Sequence, residues 1–195
     1  MRCKLALAAL AFSVTLAAVA LAGATMREDG VHIEPWFKNP NSFLILAEDA
    51  QEAKAAGKGL VVIWEQKGCD TCQRLHEVNF ADAKLAGYIK DRFDVLVMNL
   101  YGEVEVTDFD GAKLAEKELA AKHRVNFTPT TIFFDAKGEE QFRLPGYMAP
   151  FAYLSGYVFV AEKGTDNPEF KGMLPRWLKV NADKVRTILG RGPEG

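Results

Sequence analysis

The sequence predicts an α/β fold, a mixed central sheet flanked by helices with an extension at each end, on three observations. A continuous β-branched run, Leu60 to Trp64, has no polar alternation, as expected of a central strand buried on both faces. Strand-like and helix-like segments alternate from Ser42 to His123. A strand pair, Thr130 to Phe134 and Glu139 to Leu144, then brackets the turn Asp135-Ala136-Lys137-Gly138.

The elements follow in order. Arg2 and Lys4 precede an apolar run from Leu5 to Leu21 and the small-residue patterns Ala20-Leu21-Ala22 and Ala22-Gly23-Ala24, which reads as a secretory signal peptide over residues 1–24. The alternative is a membrane anchor, for which this run, broken by Ser13 and Thr15, is short. Residues 25–41 form an N-terminal extension. Ser42 to Ala56 reads as a helix, with Phe43, Leu46, Ala50 and Ala53 at helical spacing and Gly57 as its stop. Gly68 ends the strand segment just before Cys69. Helical pattern returns at Gln73 to Val78 and at Asp82 to Lys90, with Leu85 and Ile89 inward, before a second buried strand, Phe93 to Leu100.

Glu103 to Val106 alternates polar and apolar and meets a turn at Asp110-Gly111, a small hairpin signal. Lys113 to His123 reads as helix. Beyond the strand pair, Ala149 to Val160 is a closing helix despite Gly156, and the domain is taken as residues 42–163. Residues 164–195 are a C-terminal extension with a helix from Pro175 to Leu189, Pro being favourable in a first turn.

Composition narrows function. The 195 residues are 49% hydrophobic and 26% charged, enough for a core without staples. With 24 basic and 26 acidic residues there is no basic excess to meet nucleic acid or an anionic membrane. Removal of residues 1–24 takes away Arg2, Lys4 and Cys3, so 22 basic residues remain and Cys69 and Cys72 are the cysteines left.

Cys69-Asp70-Thr71-Cys72 closes too short a loop to act as a folding staple, although an inert surface bridge is the alternative. A cysteine at the first turn of a helix meets unpaired N–H groups and the positive end of the helix dipole, which favour the nucleophilic thiolate. Cys69 is then the attacking sulfur and Cys72 the deeper resolving one.

The buried strand feeding Cys-x-x-Cys at a helix start, with Thr128-Pro129-Thr130 at the head of a later strand, resembles thioredoxin. The resemblance runs from about Ser42 to Val160 and implies the thioredoxin fold. It implies that Pro129 is cis and faces the cysteines, and that Thr128 pairs its backbone with the substrate peptide. Trp64-Glu65-Gln66-Lys67-Gly68-Cys69, then Arg74-Leu75-His76 and Arg143 to Tyr147, are similar to the SoxW-type periplasmic thioredoxins of bacterial sulfur-oxidation systems. That likeness implies a periplasmic reductant, recharged by a membrane thiol electron carrier, spending electrons on disulfide-bearing partner proteins. No bound cofactor is expected beyond the Cys69–Cys72 disulfide, and a monomer is expected.

Thioredoxins place a buried Asp six residues before the first Cys, where this chain has Ile63. Glu65 and His76, the latter four residues after Cys72 on the same helix face, are candidate proton shuttles. Glu65 could equally be a solvated strand-end charge, and His76 a packed or exposed helix residue. Asp70 and Thr71 tune the couple: a carboxylate beside Cys69 opposes its thiolate and favours a reductant, although Lys67 and Arg74 partly cancel it. Strong oxidants near about −120 mV stabilise the reduced form, against about −270 mV for thioredoxin.

Competing readings are a zinc or copper site on Cys69, Cys72 and His76, and a binding module using Trp36, Trp177 and the Tyr153 to Tyr157 region. The metal set lacks a fourth ligand, His32 and His123 being distant in sequence, so no metal ligand is assigned. Gln73 after the second Cys excludes covalent haem attachment. Within the enzyme class, the runners-up are a reductant for cytochrome c maturation and a disulfide-generating oxidase. The segment Tyr101 to Gly111 and the chain after Gly164 are expected to select partners.

Overall fold

The computed structural model describes residues 24–192. The signal-peptide reading of residues 1–24 therefore falls, but for Ala24, outside the described residues.

A short hairpin, β1 (Thr25–Met26) and β2 (His32–Ile33), leads through a 3-10 turn to α1 (Leu46–Ala55) and β3 (Gly59–Glu65). The motif opens α2 (Asp70–Arg74), which runs on as a π-helical turn, Leu75–Phe80. Then follow α3 (Ala83–Arg92), β4 (Phe93–Asn99), the hairpin β5 (Glu105–Thr107) and β6 (Lys113–Ala115), and α4 (Glu116–Lys122). The chain closes with β7 (Thr130–Phe134), β8 (Glu140–Pro145), α5 (Pro150–Ala161) and α6 (Leu174–Ile188).

The central sheet has the order β4-β3-β7-β8, with β3 parallel to β4 and the other pairs antiparallel. β3 is central and buried on both sides, which is why its sequence shows no alternation. Its side chains still divide by period two. Val61 and Ile63, with Val95, Val97 and Phe133, pack under α3, α5 and α6. Leu60, Val62 and Trp64, with Leu96, Met98 and Ile132, pack against α1 and α4. Both terminal segments enter the first of these cores, through Val31 and Phe37 at one end and Trp177, Val185 and Leu189 at the other.

Two expectations are corrected. Phe43 does not face inward: it is 93% exposed and precedes the helix, because Ser42 Oγ accepts from Leu44 N–H and donates to Asp49, holding Leu44 at φ +55°. Helix over Lys113 to His123 is also too long. Lys113 to Ala115 pair with Thr107 to Glu105 as β6, and α4 starts only where Glu118 accepts a hydrogen bond from Ala115 N–H. Gly156 lies inside α5 because a Cβ there would come within 2.7 Å of Leu144 Cδ1, so a bare backbone lets the helix close on β8.

Candidate active site

The register of the sheet gathers the site. Trp64 pairs with Thr130, and Glu65 with Asn99, so the loop after β3, the loop before β7 and the segment from Tyr101 emerge at one edge. Gly68, at φ +71°, turns the chain out of β3 and sets Cys69 as N-cap of α2. There the sulfur accepts a hydrogen bond from Cys72 N–H at 3.1 Å. Cys69 and Cys72 are joined as a disulfide with Cα atoms 5.2 Å apart. Cys72 is fully buried and Cys69 retains 9% exposure, so Cys69 is the cysteine open to solvent.

Thr128 and Pro129 sit opposite. Their peptide bond is cis, and Thr128 Oγ1 donates to Cys69 Sγ at 3.3 Å. Thr71 Oγ1 lies 3.4 Å from the same sulfur. Thr130 Oγ1 donates to Phe127 O, and Gly146 N–H to Pro129 O, which fix the loop from both sides. Asp70, the first residue of α2, is exposed beside Cys69. Among the described residues neither cation expected to offset it forms an ion pair with it: Arg74 stacks over Tyr147 at 4.9 Å, and the Lys67 stem packs so closely on Gly30 that a Cβ there would meet Lys67 Cγ at 2.7 Å.

Glu65 and His76 are brought together, and both are buried rather than solvated. His76 Nε2 and Glu65 Oε1 are 2.8 Å apart, and His76 Nδ1 donates to Glu34 Oε1 at 2.8 Å. His32 Nδ1 stands 3.6 Å from Glu65 Oε2. Burial alone would lower the His76 pKa, but the hydrogen bonds and charges of Glu34 and Glu65 outweigh it and hold it up at about 9. Burial would raise the Glu65 carboxyl, and the two imidazoles bring it below its ordinary value.

The sequence reading missed Glu34 and undervalued His32. Their spacing of two on an extended segment, which puts both on one side, was the available signal. His32, distant from His76 in sequence, has its ring centroid 5.1 Å away. The aromatics offered as a binding surface belong to the core instead: Trp177, Tyr153 and Tyr157 are buried, and Trp36 packs edge-on against Phe37 and Phe80. The Tyr153 hydroxyl links Thr131 and Tyr157, the first of which pairs with Ile63 across the sheet.

Comparison with known proteins agrees with this geometry. A family described as a thioredoxin-like domain matches residues 46–175. A thioredoxin-fold protein from Helicobacter pylori superposes with a TM-score of 0.56 at 24% identity, covering 68% of this chain and 86% of its own. A thioredoxin from Thermus thermophilus is 26% identical over 62% of this chain and 86% of its own, with a TM-score of 0.49. None of the curated proteins compared matches the chain. The match over most of the chain, on a sheet whose edge carries a Cys-x-x-Cys disulfide facing a cis-proline, places this protein in the thioredoxin-like family, with the fold and cysteine pair of a thiol–disulfide oxidoreductase.

Proposed function

We propose that the chain is an exported reductant of disulfides in partner proteins, working in the periplasm. The observation that carries this reading is the environment of Cys69 Sγ, which has the Cys72 N–H at a helix start on one side and the Thr128 hydroxyl on the other. Both donors favour the thiolate, the form that attacks. In the reduced protein Cys69 displaces one sulfur of the partner's disulfide, forming a mixed disulfide and releasing a partner thiolate that takes up a proton. Cys72 then loses its proton and attacks Cys69, so the partner leaves as a dithiol and the Cys69–Cys72 disulfide forms. The Cys72 proton passes to the buried Glu65–His76 pair, His76 lying four residues beyond Cys72.

Exposed Asp70 opposes the thiolate and sets the direction toward reduction. A thiol carrier in the membrane restores the dithiol, and the likeness to SoxW-type sequences points to sulfur oxidation as the setting. Thr128 and Pro129 hold the partner peptide. Exposed Phe127 and Tyr101 flank that edge and select the partner, a disulfide-bearing periplasmic protein rather than nucleic acid.

Equilibration of the purified protein against dithiothreitol or glutathione buffers tests this. A potential near about −270 mV, together with mixed disulfides trapped by Cys72→Ser and lost in Cys69→Ser, supports a reductant. A potential near about −120 mV would point to disulfide generation and overturn the direction.

A further inference from the structure

The network of Glu34, His76, Glu65 and His32 contains two buried polar atoms without hydrogen-bond partners, His32 Nδ1 and Glu65 Oε2, and they face each other. Glu65 is completely buried. These atoms stand 3.6 Å apart, outside hydrogen-bond distance. A tetrahedral ion with bonds of about 2.0–2.1 Å holds neighbouring ligand atoms roughly 3.4 Å apart. The third donor, His76 Nε2, lies with them, all three groups offering ligand atoms within 4.8 Å of one another.

We propose that His32 Nδ1, Glu65 and His76 Nε2 form a site for a first-row divalent cation of the zinc type. Two further observations support it. Glu34 accepts from His76 Nδ1, the carboxylate–histidine pairing that orients metal-bound imidazoles, and Nε2, now hydrogen-bonded to Glu65 Oε1 at 2.8 Å, is the ring atom a cation would take in place of a proton. A cation at Nε2 displaces the His76 proton, and its double charge then offsets both Glu34 and Glu65 where burial makes their negative charges most costly. Two imidazoles and one carboxylate suit zinc with a fourth position left open. Both imidazoles border a cleft of about 260 Å³ lined by Ala24, His32, Gln73, His76, Glu77 and Ala81, wide enough for a water ligand and for entry of the ion. The ligands come from β2, the end of β3 and the π-helical turn after α2, so the ion would tie the N-terminal segment to the helix that carries the cysteines. The cysteine sulfurs are not part of this set.

The test uses the full chain with Cys69 and Cys72 oxidised, so that no thiolate competes for metal. Equilibrium dialysis against zinc chloride is expected to leave one zinc per chain. His32→Gln and Glu34→Gln, checked for fold by circular dichroism, are each expected to weaken binding at least about tenfold. Cobalt loaded into the unmutated oxidised protein gives a second reading, with tetrahedral visible bands and no thiolate charge-transfer band. Binding well below one zinc per chain, or binding unchanged in His32→Gln, would overturn the proposal. So would metal uptake that appears only when the cysteines are reduced. None of these outcomes depends on exchange activity.

Discussion

Thr128 donates its side-chain hydrogen bond to Cys69 Sγ across 59 residues of sequence, and the same residue begins the cis peptide bond to Pro129. A single loop therefore carries both the cis peptide bond and a donor to the Cys69 sulfur. Thr128→Val removes the donor while keeping the shape of the side chain. A hydrogen bond to a charged group is worth about 1.5–3 kcal/mol. The variant is expected to raise the Cys69 thiol pKa by about one and to slow attack about tenfold. Iodoacetamide alkylation followed against pH measures both, and an unchanged profile would show that the Thr128 hydroxyl does not act on the thiolate.

Asp70 is exposed at the start of α2 and forms no ion pair with Lys67 or Arg74. Asp70→Asn relieves repulsion of the Cys69 thiolate, stabilising the reduced form. A charge in a first helical turn is worth about 0.3–1 kcal/mol, which corresponds to a potential about 6–20 mV less negative. Paired redox titrations of the two proteins resolve that difference, and a shift toward more negative values contradicts the assigned role.

The C-terminal helix belongs to the main core through Trp177, which is 2% exposed and packs on Phe159. Trp177→Ala is expected to cost about 3–5 kcal/mol, a large fraction of a typical domain's stability. A urea midpoint close to that of the unmutated protein would mean that α6 is dispensable.

Asp108 anchors the β5–β6 hairpin to the end of α4, with Lys122 Nζ at 2.7 Å and His123 Nε2 at 3.1 Å. Burial alone would raise its pKa, but these partners and the Phe109 N–H hold it below the ordinary value. A depressed carboxyl contributes stability that is present above its unfolded pKa, about 3.9, and is lost as pH falls through the lower folded value. Asp108→Asn should therefore destabilise the protein at pH 7, and the gap should narrow below about pH 4. Thermal melts at the two pH values test the sign; a gap that widens in acid refutes it.

The sequence by itself determined the layering and the cysteine pair at the centre. An unbroken apolar run marked β3, inward Leu85 and Ile89 marked α3, Pro175 in a first turn marked α6, and the spacing of Cys69 and Cys72 marked the cysteine pair at a helix start, because these signals are local to a few consecutive residues. The start of α1 was misread because the Ser42 hydrogen bonds outweigh helical spacing at Phe43, and Lys113 to Ala115 because pairing with β5 outweighs helix propensity. Tertiary structure alone decided that Thr128 reaches Cys69, that α6 and the N-terminal segment enter one core, and that His32 and Glu34 meet Glu65 and His76. Those contacts depend on the register of β3 against β7 and on the path of a segment that precedes the sheet. No short window of sequence encodes either, because both are set by which faces bury together once the whole chain has closed.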